Sequence, residues 1–220
     1  MATHLHIEEQ EQIDQLKAFW QRYGNLITWV VIAALAAYAA WTGWNWWQRD
    51  QAIKASAMYS ALDEAVRASD VDRATQVFSD LKERYPNTPF AEQAALQAAK
   101  LQADKGKLDA ARASLAWASD NALETEYRTI ARLRLAGLLL DEKKYDEALK
   151  QLDGATAEGF AALVNDRRGD VLLAQGKKDE AKAAYQKAWA AMDPAVDYRH
   201  LIEGKLTSLG AAPVLPAASA

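Results

Sequence analysis

Two of the chain's three histidines, His4 and His6, stand one residue apart near the N-terminus. Such a pair could ligate a metal ion, but a metal site needs further donors at fixed positions. Met1–Glu9 reads as a flexible start, so the pair is assigned to solvent and no metal is expected. His200 falls near Asp193, Asp197 and Glu203, a grouping that would suit proton transfer. Charges on a terminal helix usually form its wet face, and no catalytic role is assigned to them. Cysteine is absent, which excludes a thiolate nucleophile, a disulfide framework and a cysteine-based zinc site. Either redox compartment suits such a chain. The ten glycines form neither a phosphate-binding loop nor a dinucleotide fingerprint. With no set of nucleophile, base and orienting group visible, the chain reads as a non-enzyme without a cofactor.

What remains is the chemistry of binding. Ile130 and Leu133, followed by Asp166 and Asp170, would line a groove if the helices that bear them stack side by side. A mixed apolar and acidic groove could hold an extended or helical peptide segment. The competing reading makes the two apolar residues core and the two acids solvated. Arg128, Arg132, Arg134, Arg167 and Arg168 read as spread over helix faces rather than gathered into one clamp. Trp117 and Trp189 read as packing residues near helix ends.

The net charge of −4 divides into −2 for residues 1–22, zero for 23–48 and −2 for the remainder. Without a basic field, nucleic acid is not expected as a partner. Between Arg22 and Arg49 lie 26 residues without a charged side chain. As a helix that run is about 39 Å long, enough to cross a hydrocarbon core of about 30 Å with some tilt. Trp20 and Tyr23 precede the apolar centre, and Trp41, Trp44, Trp46 and Trp47 follow it, as interfacial aromatic belts do. Membrane lipid is therefore an expected partner, and residues 23–48 are assigned as a transmembrane helix after a tail at 1–22. The small-x-small triplet Ala37-Tyr38-Ala39 has the form of a signal-peptide cleavage site, but the acidic start and the long apolar run argue against one. Lys17 and Arg22 on one side stand against Arg49, Lys54 and Arg67 on the other, a comparison that does not decide the orientation.

Beyond the span, Arg49–Ala68 reads as a further helix with Ile53, Ala57, Ala61, Leu62, Ala65 and Val66 as its apolar stripe. No Gly or Pro separates it from the span. A repeat then sets in: Asp-x-Ala-x3-(Phe, Leu or Tyr)-x2-(Leu or Ala), recurring at intervals of 37, 37 and 33 residues. Its instances begin at Asp72, Asp109, Asp146 and Asp179. The Asp is expected to cap a helix start, the Ala to admit a neighbouring helix closely, and the larger residue to fill the space between helices. Gly106 and Gly176 stand where a preceding helix would end in the left-handed conformation.

Paired helices at this period resemble the tetratricopeptide repeat, including the prolines of Tyr85-Pro86-Asn87-Thr88-Pro89 and Asp193-Pro194. The expected fold class is all-α: one N-terminal transmembrane helix, then a tetratricopeptide-like superhelix of about four helix pairs over residues 49–210. Leu201–Leu209 would be the closing helix, and residues 211–220 a disordered tail.

One string is more specific than repeat grammar, running from Glu158-Gly159-Phe160 through Asn165-Asp166-Arg167-Arg168-Gly169-Asp170 to Leu173, and on into Gly176–Ala181. With the acidic start and the Trp-rich span, it resembles the ancillary SecYEG translocon subunit family, the YfgM-like proteins, over nearly the whole chain. The resemblance implies a bacterial inner-membrane protein with a cytoplasmic N-terminus and a periplasmic repeat domain. It further implies as partners the SecYEG translocon, a membrane-anchored prolyl-isomerase-like chaperone (PpiD-like) and exported client polypeptides. The family brings no catalytic residues. The alternative is a scaffold or regulator whose repeats face the cytoplasm.

Overall fold

The computed structural model describes residues 3–212, with the side chains of 17–212. Its described residues form helices and turns, and they divide into two units, one ending at Gln51 and the other beginning at Ala52. Helix α1, Thr3–Arg67, runs through both. Its backbone is helical from Thr3, in place of the flexible start expected for Met1–Glu9. The side chains of His4 and His6 lie outside the described ones.

In the first unit, Lys17 onward is long and apolar enough to cross a membrane, and its most apolar stretch is wholly exposed. Trp20, Tyr23, Trp41, Trp44, Trp46 and Trp47 are all exposed along it. An exposed helix carrying this much apolar surface is unfavourable in water and favourable in lipid. Within it, Thr28 turns its hydroxyl back onto the Gly24 carbonyl at 2.8 Å, so that the hydroxyl is satisfied without a partner helix.

The second unit takes the end of α1 and adds α2 (Val71–Arg84), α3 (Pro89–Asp104), α4 (Leu108–Asn121), α5 (Thr125–Asp141), α6 (Tyr145–Asp153), α7 (Ala161–Ala174), α8 (Lys178–Ala191) and α9 (Tyr198–Ser208). From α2 onward each helix packs on its neighbour in sequence, and α5 also reaches α3 and α7, as in a stacked array of helical pairs. The closing helix α9 begins three residues before the expected Leu201 and ends one before Leu209.

The repeat motif explains this packing. Ala74, Ala111, Ala148 and Ala181 are completely buried, and Phe78, Leu115, Leu152 and Tyr185 lie buried one turn further along. The absence of a longer side chain at the Ala lets the next backbone approach, and the larger residue fills the gap so created.

The motif aspartates do not cap. Each is the second residue of its helix, and α2 is capped instead by Asp70, whose carboxylate accepts from the Arg73 N–H at 3.0 Å. Lys107, Lys144 and Lys177 occupy the cap positions of α4, α6 and α8 without a side-chain cap bond. The aspartates therefore act through their charge beside the helix's positive end.

The turn before each motif repeats in detail. Ser69, Gly106, Lys143 and Gly176 take positive φ, and the next residue's N–H bonds back to Ala65, Gln102, Leu139 and Leu172 respectively. This is a Schellman closure, with Gly at two of the four left-handed positions. Gly210 makes the same turn after α9, and the Ala211 N–H bonds Leu206 O at 3.0 Å. Ordered structure thus reaches Ala211, inside the segment expected to be a disordered tail; the rest of that tail, from residue 213, lies outside the described residues.

The apolar stripe after the span is corrected in phase. Ala55, Leu62 and Ala65 are buried and Met58 and Tyr59 partly so, whereas Ile53 is 70% exposed and Ala57 is exposed as well. Ile53 lies two residues, about 200°, from Ala55 around the helix, on the face turned from the second unit's core.

Candidate peptide-binding groove

The first helix of each pair lines a groove of about 510 Å³ within the second unit. Ala99 and Ala103 of α3, Leu133, Gly137 and Leu138 of α5, and Leu163 of α7 give its apolar surface, with Leu115 of α4 behind them. Lys100, Asp104, Arg134, Asp141, Asp166 and Arg167 supply the charges, and Tyr198 of α9 closes one end. Small residues on the exposed side of stacked helices open this space. A Cβ added at Gly137 would meet nothing nearer than the Arg167 guanidinium at 3.9 Å. A second depression of about 310 Å³ shares Lys100 and Arg134 and continues past Gln97 and Tyr127 to Tyr59.

Of the four residues expected to line a groove, Leu133 and Asp166 do. Ile130 packs partly buried against the core. Asp170 sits one turn beyond Asp166 in an ionic network. Asp166 is 2% exposed, and its two oxygens each accept from Lys205 Nζ at 2.8 Å, with the Tyr198 hydroxyl donating at 2.8 Å. Lys205 also reaches Asp170 at 2.7 Å, and Asp170 accepts from the Tyr185 hydroxyl at 2.8 Å. One ammonium of α9 thereby compensates the buried Asp166 and its half-buried neighbour Asp170, which Arg167 also approaches at 3.7 Å. Burial, reinforced by these carboxylates, pushes both tyrosine hydroxyls far above their ordinary range, so each remains a donor.

The Asn165–Asp170 string owes its specificity to this junction. A Cβ on Gly169 would lie 2.4 Å from the Tyr185 ring, so only Gly lets that ring lie against α7 and present its hydroxyl to Asp170. Arg168 reaches back to Asp153 of α6 at 2.7 Å, and Arg167 turns into the groove. Lys205, Tyr198 and Tyr185 escaped the reading of the sequence. Two acids one turn apart on a helix with buried neighbours signalled the need for a cation, but nothing local pointed to α9, 35 residues away from Asp170.

The arginines divide by task. Arg128 donates to the carbonyls of Ala122 and Leu123 and ties down the turn before α5. Arg132 bonds the Gly154 carbonyl, and a Cβ at Gly154 would collide with its guanidinium. These two are structural, whereas Arg134 and Arg167 face the groove. Trp117 packs edge-on against Phe78 with centroids 5.5 Å apart, and Trp189 lies under the Arg199 guanidinium at 4.0 Å. His200 is an exposed residue 3.5 Å from Glu203.

A family model described as "Tetratricopeptide repeat-like domain" matches residues 17–211. Among curated proteins, the chain is 32% identical over 205 residues to the ancillary SecYEG translocon subunit of Neisseria gonorrhoeae, covering 93% of this chain and 98% of that one. It is 30% identical over 185 residues to the protein of the same description from Escherichia coli, covering 83% and 87%. The Haemophilus influenzae counterpart is 29% identical over 188 residues, covering 83% and 89%. A solved structure of the MamA RS-1 ArsTM double mutant superposes with a TM-score of 0.53 at 17% identity, over 71% of this chain and 89% of that chain. At that identity it shows a shared fold alone.

Proposed function

From the premise that the chain belongs to the family of ancillary SecYEG translocon subunits, built on a tetratricopeptide repeat-like domain, we propose that it is a membrane-anchored, protein-binding subunit of the Sec translocon. The apolar helix crosses the bacterial inner membrane, with the N-terminus in the cytoplasm and the repeat domain in the periplasm. There the domain works with a membrane-anchored prolyl-isomerase-like chaperone (PpiD-like) and assists exported polypeptides. The observation that carries this reading is the match to the Neisseria relative along 98% of that protein's length, span and repeats together.

The physical logic is tethering. The span holds the groove beside the channel, and confinement raises the effective concentration of groove and emerging chain without any further contact. A weak groove then suffices, in keeping with one of about 510 Å³, whose charges are largely paired. Catalysis has no part in this account. The test is affinity isolation of the full-length chain from detergent-solubilised membranes. Recovery of translocon subunits together with the chaperone is expected; a complex holding neither would overturn the proposal.

A further inference from the structure

The charges of the groove come from three helices: Lys100 and Asp104 on α3, Arg134 and Asp141 on α5, and Asp166 and Arg167 on α7. Those of α3 and α7 are already paired: Lys100 with Asp104 at 2.7 Å, Arg167 with Asp170 at 3.7 Å, and Asp166 with Lys205 at 2.8 Å.

The α5 pair is different. Arg134 and Asp141 are seven residues apart, about 10 Å of helix rise, too far to meet. Both are exposed groove residues, and neither forms an ion pair with a described residue. Arg134 is held at one end by a bond to the Leu96 carbonyl at 3.2 Å, which presents a fixed guanidinium to a carboxylate. Between the two charges the floor is apolar and shallowly filled, at Gly137 and Leu138.

We propose that this groove selects an extended polypeptide segment bearing a carboxylate and an ammonium or guanidinium four residues apart, with a bulky apolar side chain midway between them. The carboxylate pairs with Arg134, the cation with Asp141, and the apolar side chain seats at Gly137. The inference rests on the reading of the groove as a polypeptide site. Extended chain advances about 3.3 Å per residue and turns every second side chain to the same face, so a carboxylate, an apolar residue and a cation at alternate positions face the groove together and extend about 13 Å, enough to cover the gap between the charges. A helix does so only over two turns.

The test is retention of the purified full-length chain, in detergent, on an array of twelve-residue peptides. Each peptide holds one central Leu or Phe with, two residues away on either side, Glu and Lys, two Glu, two Lys or two Gln. The wild type is expected to favour the Glu and Lys peptides about threefold or more over the others, as paired groove charges allow. Arg134→Glu shifts the preference to the two-Lys peptides and Asp141→Lys to the two-Glu peptides, because each substitution gives the two unpaired α5 positions the same sign. Both side chains are exposed, and unchanged thermal melts would establish that the variants fold. Gly137→Leu lowers retention of every peptide. Retention that tracks apolar content alone, unmoved by either charge reversal, overturns the inference and leaves the groove a peptide site. Failure to retain any peptide overturns the groove reading with it.

Discussion

Gly169 and Lys205 each carry consequences out of proportion to their size. Gly169→Ala puts a methyl group into the Tyr185 ring, with backbone on one side and a buried core on the other. The expected cost is about 1–3 kcal/mol, as for other overpacked sites, read as a lower urea midpoint at unchanged slope. Lys205→Met strips the partner from Asp166, which is buried, and from Asp170. The expected loss is about 3–5 kcal/mol, and adding Asp166→Asn with Asp170→Asn should restore most of it. Two glutamates answer pH with opposite signs. Burial raises the Glu92 carboxyl above its ordinary range, although the N–H groups of Leu123 and Glu124 oppose the shift. Its folded form favours the proton, so its contribution is present at acidic pH and lost as pH rises through the raised value. Hydrogen bonding to Lys144 and then Arg112 lowers the Glu142 carboxyl, so its contribution is present at neutral pH and lost as pH falls through the depressed value. Stability should therefore fall more steeply on acidification in Glu92→Gln, read above pH 4.5, and less steeply in Glu142→Gln, read below pH 4.5.

At the scale of the element, the turns between repeats offer the cleanest comparison. Lys143 holds φ 61° where Gly106 and Gly176 hold 73° and 81°. A left-handed L-residue costs about 1–2 kcal/mol, part of which the greater freedom of unfolded glycine offsets. Lys143→Gly should stabilise by about 0.5–1 kcal/mol and Gly176→Ala destabilise by a similar amount, as denaturant melts would report. These turns were legible at Gly106 and Gly176 because glycine announces the conformation, and illegible at Ser69 and Lys143 because nothing local does. The buried alanines were legible for a related reason: their spacing from a large apolar residue fits only a close helix contact. The role of the motif aspartates was misread because a charge in the first turn and a cap at the boundary differ by two residues, finer than sequence resolves. The groove was half legible. Leu133 and Asp166 could be found from periodicity, but Gly137 is informative only once Arg167 is known to lie across from it, and the neutralisation of both acids depends on a lysine from the closing helix.

For the whole molecule, the account joins two different surfaces: an apolar, tryptophan-flanked helix suited to lipid, and a groove suited to polypeptide. The value of the arrangement lies in tethering the second to a membrane through the first, and this depends on which side of the membrane the repeats occupy. Charge around the span does not decide that side, so orientation is where the account is most exposed to contradiction. The absence of cysteine makes the measurement direct. Asn121 is exposed at the end of α4, and Asn121→Cys gives the full-length protein a single reactive thiol. Cells with a permeabilised outer barrier and an intact inner membrane would be treated with a membrane-impermeant maleimide. The account predicts labelling before the inner membrane is opened. Labelling only after that membrane is lysed would place the repeats in the cytoplasm, contradict a role on the exit side of the translocon and favour a cytoplasm-facing scaffold.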